Sequence, residues 1–286
     1  MGRVGMIFVK GILAAGITAA AIGGSAHAAD YDRPIFYPET NGGLSGMTGN
    51  VEGALAKSEN DLLDSRNWSI RGSVNARVSG GLNIQGDLGY GKHDFDFIGD
   101  GSSYYGTLHG YYRPEEVFAV GAFIHGAKTD LDALGSADLL ETRMAGLEVA
   151  WFSDAATFYA QGGYGKTDLL GLDADHLMGR LGIRYFLADN IRIDAEGTVN
   201  RLSTDIGDID HASAKALLNY RPDGLPVSVY GGYRKDWLEP KSGGASPGST
   251  DSQSILAGLR FHFGSDSLKE EERNGPIWSS APILQP

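Results

Sequence analysis

The sequence predicts an all-β protein: an antiparallel up-and-down β-barrel of about twelve strands that follows a cleaved signal peptide. Polar and apolar residues alternate along many short segments, and a period of two places them on opposite faces of a strand. A basic residue recurs at a nearly constant interval on the apolar face. The part after the signal peptide contains no apolar run long enough to cross a membrane as a helix.

Residues 1–28 are predicted to be the signal peptide. Arg3 and Lys10 give it positive charge, an Ala-rich apolar stretch follows, and Ala26-His27-Ala28 matches the small-x-small cleavage pattern. Cysteine is absent, so no disulfide contributes. The formal net charge of -12 argues against a nucleic-acid partner, which would require a basic face.

The segment 68–78 shows the alternation most clearly, with Trp68 and Ile70 on one face and Ser69 and Arg71 on the other. The same alternation is present in 82–92, 177–186, 191–201 and 255–263. Soluble sheets also have one polar and one apolar face. Alternation alone therefore leaves both a sandwich and a membrane barrel open.

The connections between segments favour the membrane barrel. Short links are predicted at one end, here called the turn end, and longer Asp/Gly/Ser-rich loops at the other. The short links are 113–116, 153–155, 188–190 and 221–226, and the long loops are 94–102, 129–139, 167–175, 203–211 and 240–251. An aromatic residue on the apolar face ends the strand before each short link, and another ends the last strand: Tyr112, Trp151, Tyr185, Tyr220 and Phe263. Such an aromatic girdle is typical of transmembrane barrels.

The opposite end, here called the collar end, is marked by basic residues on the outward face. The collar residues are Lys57, Lys92, Lys128, Lys166, Arg201 and Lys235. They are separated by 35, 36, 38, 35 and 34 residues, an interval that two membrane strands with their connections would fill. The interval also predicts a strand at 47–57.

The predicted strands run in two directions. Six run toward the collar end, at 47–57, 82–92, 117–128, 156–166, 190–201 and 226–235. Six run back, at 68–78, 103–113, 142–152, 176–187, 211–220 and 254–264. The barrel would span 46–264, between an extension or plug at 29–45 and a tail at 265–286 that forms either a disordered end or a short contact segment.

The signal peptide, the strand rhythm and the final strand Ile255–Phe263 resemble alphaproteobacterial-type, porin-like outer-membrane proteins. This resemblance implies the outer membrane of a Gram-negative bacterium, with both chain ends in the periplasm. The final strand resembles the family's assembly signal, which implies the barrel-assembly machinery as a partner. The tail departs from the pattern, because such barrels usually stop at the terminal aromatic.

The inward face is expected to be charged. Its predicted pore-lining residues are Arg71, Arg77, Asp87, Glu148, Arg180, Arg184, Arg192, Asp194, Glu196, Lys215, Arg234 and Arg260. They would form either an interior held together by ion pairs or a narrow passage for small solutes, including anionic ones. A barrel of about twelve strands is intermediate in size between barrels whose interior is filled by side chains and barrels that enclose an open channel.

These patterns predict passive, porin-like transport, with a non-conducting structural or surface-interaction protein as the alternative. A hydrolase or protease at the rim is a third hypothesis, suggested by Asp94-Phe95-Asp96 and by Asp208-Ile209-Asp210-His211. Acidic residues are common in solvated loops, so no enzyme activity and no catalytic residue is predicted. His109, His125 and His262 are expected to point inward as polar filling, and no metal or cofactor is expected.

The collar has two interpretations. Long basic side chains can extend from the hydrocarbon edge into water, or they can bind the phosphates of anionic lipid headgroups. All six positions are basic, which favours phosphate binding.

Overall fold

The structure is a computed structural model that describes residues 46–60, 64–95, 99–114, 117–131, 137–241 and 248–278. Its described strands form one closed antiparallel barrel in which neighbours in sequence pair and β1 meets β12. The strands are β1 (Met47–Asn60), β2 (Ser65–Ser79), β3 (Leu82–Phe95), β4 (Gly99–Tyr112), β5 (Phe118–Leu131), β6 (Ala137–Phe152), β7 (Ala156–Leu169), β8 (Leu172–Ala188), β9 (Ile191–Thr204), β10 (Gly207–Tyr220), β11 (Val227–Lys241) and β12 (Thr250–Phe263). The predicted twelve-stranded barrel is confirmed, including the strand inferred from the collar interval. The signal peptide and the extension at 29–45 lie outside the described residues.

The collar end differs from the prediction. Only Leu170 and Gly171 connect β7 to β8, and residues 205–206 connect β9 to β10, so the long loops predicted at 167–175 and 203–211 are wrong. These Asp- and Gly-rich segments continue the strands instead. Strands of 14 to 17 residues exceed the roughly 10 that a tilted strand needs to cross the hydrocarbon. The barrel wall therefore projects beyond the apolar belt.

Polarity is reversed relative to a soluble protein. Leu88, Leu147 and Ile255 are each more than two-thirds exposed on the outer surface, while charged side chains such as Arg192 and Arg260 are fully buried inside. Water on both surfaces would penalise this arrangement, whereas hydrocarbon around the wall stabilises it.

Glycines let the interior fill with large side chains. The ring of Tyr159 on β7 lies against Gly182 on β8, where a Cβ would come within 2.1 Å of the ring. Tyr230 on β11 covers Gly258 on β12 in the same way. Part of the high glycine content thus serves close packing of aromatic rings inside the wall.

The tail turns back into the barrel mouth at the turn end. Gly264 makes this turn with φ +75°, a conformation that other residues rarely adopt. Helix α1 (Leu268–Asn274) follows, with the Ser267 hydroxyl accepting a hydrogen bond from the Glu270 N–H at its start. Among the described residues, no helix is long and apolar enough to cross a membrane.

Candidate functional site in the barrel interior

Eleven of the predicted pore-lining residues point into the barrel. They are buried or nearly so: Arg71, Asp87, Glu148, Arg180, Arg184, Arg192, Asp194, Glu196, Lys215, Arg234 and Arg260. Arg77 is the exception, because it is exposed beside the link at the turn end. Arg77 still pairs in register with the buried Asn83, and the strand bulges only after it, between Arg77 and Ser79.

One interior cluster is built around His109. Its Nε2 lies 3.0 Å from Asp87 and its Nδ1 lies 2.9 Å from Glu148, and the side chains of all three are fully buried. Gln161 donates to Glu148 and accepts from Arg180. The predicted inward histidine is confirmed, and it joins carboxylates from β3 and β6.

A second cluster contains a carboxylate that the sequence analysis did not single out. Glu52 on β1 accepts hydrogen bonds from Arg260 at 2.6 and 2.9 Å and from Arg71 at 3.3 Å. Its position is implied by the outward set of Met47, Gly49 and Val51, because an even-numbered residue of this strand must face inward. These ion pairs compensate the burial of the charges.

Apolar side chains pack together on one side of the interior toward the collar end. The cluster, here called the apolar seal, consists of Phe123, Leu131, Leu139, Leu140, Met144, Leu169, Ala174, Met178 and Leu202, with Ile209 packed against it. The side chains come from β5 to β10, so the seal is part of the wall itself.

The Asp-His couple considered for a hydrolase is divided between the two faces. His211 points inward and bonds Asn200 at 3.1 Å and Asp236 at 2.9 Å. Asp210 points outward and accepts from Arg201 at 2.6 and 2.8 Å.

The turn end of the interior is closed by α1. Three consecutive residues of this helix reach three sectors of the wall, since successive helical residues point about 100° apart. Glu271 accepts from Asn50 and His262, both at 2.7 Å. Glu272 accepts from Arg184 at 3.1 Å, and Arg273 donates to the carbonyl of Ser153 at 2.6 Å.

The residues after α1 complete the closure. The backbone N–H groups of Ile277 and Trp278 donate to the Gln85 side chain at 2.9 and 3.2 Å. The Trp278 ring packs edge-on against Tyr111, with centroids 5.5 Å apart. Sequence analysis left this tail open between disorder and a contact segment. Gly264, the Ser267 cap and the apolar Ile277-Trp278 pair are the signals that could have indicated its return into the barrel.

The two buried glutamates of α1, Glu271 and Glu272, are held differently. Burial opposes ionisation of Glu271, but the attraction and hydrogen bonds of His262, together with Arg260 and Asn50, outweigh it and lower the pKa of Glu271. Burial raises the pKa of Glu272 to about 7, because Arg184, Arg192 and Arg273 only partly offset it. Glu271 is therefore the anionic anchor of the helix.

The outer surface carries the predicted collar and girdle. Every collar residue has an acidic partner on the same face: Lys57–Glu59, Lys92–Asp100, Lys128–Asp130, Lys166–Asp175, Arg201–Asp210 and Lys235–Asp251. The sequence analysis missed these partners, which stand across a hairpin or two residues along the same strand. At the turn end Tyr112, Trp151, Tyr185 and Tyr220 are exposed on the outer face, and Phe263 is half-buried there.

A closed barrel with an apolar outer belt, an aromatic girdle and a charged interior defines the class: a transmembrane β-barrel. No family model and no curated protein matches the chain.

Solved structures of similar overall architecture are bacterial outer-membrane barrels. The β domain of the Bordetella autotransporter BrkA is 16% identical over 76% of this chain and 100% of that one, with a TM-score of 0.48. The NanC porin is 12% identical (74% and 98% covered, TM-score 0.47), and the KdgM porin is 10% identical (74% and 99% covered, TM-score 0.45). Identities and TM-scores this low give no basis for transferring a function, which rests on the residues of this chain.

Proposed function

We propose that the protein is a porin-like channel of the bacterial outer membrane for small polar solutes, including anionic ones, and that the described conformation is its closed form. The proposal includes two further points: that this outer-membrane protein is of the alphaproteobacterial type, and that the turn end of the barrel lies in the periplasm. The support is the polarity of the interior: between the apolar seal and α1 the wall carries paired charges that water can solvate once space opens.

The observation that carries the proposal is the construction of the plug. Helix α1 follows the barrel through Gly264, and it is held by hydrogen bonds and ion pairs with interior side chains as well as by apolar packing of Leu268, Ile277 and Trp278. The polar contacts can be exchanged for water without breaking the closed sheet. A terminal plug of this kind can leave the mouth while the barrel remains intact.

The solute preference follows from the charges. Glu52, Glu271 and Glu272 offset the excess of arginine that the strand pattern alone predicts. Two of these carboxylates belong to the plug, so the passage that opens when α1 leaves should prefer anions.

A second candidate is a non-conducting structural barrel. The apolar seal supports it, because its side chains belong to the wall and occupy interior space toward the collar end. The short connections found at 170–171 and 205–206 give less support to a surface-interaction role built on long loops.

A reversible lock on α1 separates the two candidates. The Lys269 N–H bonds the carbonyl of Asp189 at 3.0 Å, and their side chains pair at 2.8 Å, so D189C/K269C brings two thiols together in a chain that has no cysteine. In planar bilayers we expect conductance steps from the reduced protein, loss of steps on oxidation and their return with reductant. The single variant D189C is the control. Silence of folded, reduced protein would favour the non-conducting barrel.

We also propose that the collar residues contact lipid phosphates and that the assembly machinery recognises β12. For the collar, the support is the position of six basic side chains at one level of the outer wall. Their acidic partners already neutralise much of the charge, so each contact should contribute about 1 kcal/mol or less. For β12, the support is its alternating apolar face ending in Phe261 and Phe263.

A further inference from the structure

The contact of Glu271 with the wall has the features of a bound ligand. One carboxylate oxygen accepts from Asn50 Nδ2 and the other from His262 Nδ1, each at 2.7 Å. The far nitrogen of His262 is bonded to the Ser228 hydroxyl at 2.7 Å, which fixes the ring. The two donor side chains come from β1 and β12, so the seam that closes the barrel also builds this pocket.

The pocket is part of the wall, whereas its occupant is not. Asn50, Ser228 and His262 lie on barrel strands and are essentially fully buried. Glu271 reaches them from a segment attached at one end. The lowered pKa of Glu271 shows that this surrounding favours a carboxylate over a carboxylic acid even without water.

The opposite wall has unused donors. Arg184 is fully buried and stacks on the Tyr159 ring, with 4.2 Å between the guanidinium carbon and the ring centroid. Its Nε and Nη2 have no hydrogen-bond partner among the described residues. These two N–H groups are donors to which a further acceptor beside α1 could bind.

We propose that Asn50 and His262 form a binding site for a small carboxylate, which Glu271 occupies as a tethered ligand in the closed form. The site rests on the proposed function in one respect: the passage supplies the route by which a free carboxylate reaches it. A tethered ligand on a short segment acts at an effective concentration in the millimolar range or above. A free carboxylate therefore competes poorly in the wild type and well when Glu271 is removed.

The test uses the full chain with E271A, in which the wall site is vacated. Sodium acetate is titrated against sodium chloride at equal ionic strength, and binding is followed by the NMR signal of His262, assigned among the seven histidines with H262N. We expect acetate to shift this signal in E271A with an affinity at least about tenfold above that in the wild type. The matched control is E270A, which removes a glutamate of the same helix whose side chain accepts from the Asp266 N–H and which leaves the site filled, so it should behave as the wild type.

Two further variants complete the design. E271A/N50L removes one wall donor and should abolish the acetate response, and E271Q should give an intermediate response if E271A does not fold. Equal responses to chloride and acetate, or the same response in E271A and E271A/N50L, would overturn the site. Acetate binding to a barrel that never conducts would keep the site and overturn the channel, whereas conduction without acetate binding in E271A would do the reverse.

Discussion

The two ends of the barrel interior are filled by different parts of the chain. Toward the collar end, leucine, methionine and phenylalanine side chains of the wall pack against each other. At the turn end, a separate segment enters the mouth, where Glu271, Glu272 and Gln85 make polar contacts while Ile277 and Trp278 pack against apolar side chains of the wall. The collar-end packing is stabilised by removal of apolar surface from water, whereas the plug combines such burial with hydrogen bonds between groups that water can also satisfy.

This difference separates what belongs to folding from what can belong to function. The apolar seal cannot open without exposing side chains that the wall itself carries, so it contributes to the stability of the barrel. The plug can exchange its polar contacts for water, at the added cost of exposing Leu268, Ile277 and Trp278, and its departure would leave the sheet closed.

The largest expected effect tests the apolar seal. Leu202 is almost completely buried, so L202A should lower the free energy of unfolding by about 4 kcal/mol through lost burial and a cavity. Denaturant unfolding of the protein in detergent micelles measures this. L202M keeps the side-chain volume and should lower it by less than about 1.5 kcal/mol. A wild-type unfolding midpoint in L202A would mean that the seal does not support the barrel.

A smaller effect concerns the plug and pH. The seated helix holds Glu272 with a pKa of about 7 against the ordinary 4.5, so the seated state binds this proton more tightly. This contribution to seating is complete below pH 4.5 and is lost as the pH rises through 7. It amounts to roughly 2–3 kcal/mol. Glu271, whose pKa is lowered, acts in the opposite sense only as the pH falls below its ordinary value.

Trp278 reports this movement. It is buried inside the mouth, whereas Trp68, Trp151 and Trp237 are exposed on the outer wall. We expect acrylamide quenching of Trp278, taken as the difference between the wild type and W278F, to increase from pH 5 to pH 8 (roughly the span in which Glu272 loses its proton). E272Q, which cannot ionise, should remove the increase. A rise that persists in E272Q would assign the pH dependence to another group.

The wall was predictable from sequence because its physics is local. Alternation fixes the face of each residue, so Arg71, Arg192 and Arg260 could be placed inside without any knowledge of their partners. The collar interval even revealed β1, whose Gly49 and Gly53 give little apolar signal. Arg77 keeps this alternation, but it lies near the end of its strand, where its side chain is exposed.

The plug and the loops were harder to predict, because their positions are not fixed by a local period of the sequence. Whether Glu271 lies in solvent or against His262 depends on where Gly264 directs the chain, and no period records this. At the collar end, Asp173, Asp175 and Asp210 have the composition of a loop but lie on strands. Lys166 and Arg201 pair with Asp175 and Asp210 there. The amino-acid composition of a segment does not reveal such cross-strand pairs.

The smallest expected effect is at the outer face of the collar end, and it tests whether the collar residues contact lipid. K92E/K166E reverses two charges whose partners Asp100 and Asp175 lie 2.9 and 2.8 Å away. It should reduce the anionic lipid that copurifies with the barrel, by about 1 kcal/mol of binding per lost contact. The swapped pair K92D/D100K keeps the net charge and the ion pair but moves the cation to the next strand. If a cation at the collar is what binds lipid, the swap should lower lipid content less than the reversal does. Lipid content is quantified by mass spectrometry. Unchanged lipid in K92E/K166E would mean that the six basic residues serve only as partners of the neighbouring carboxylates.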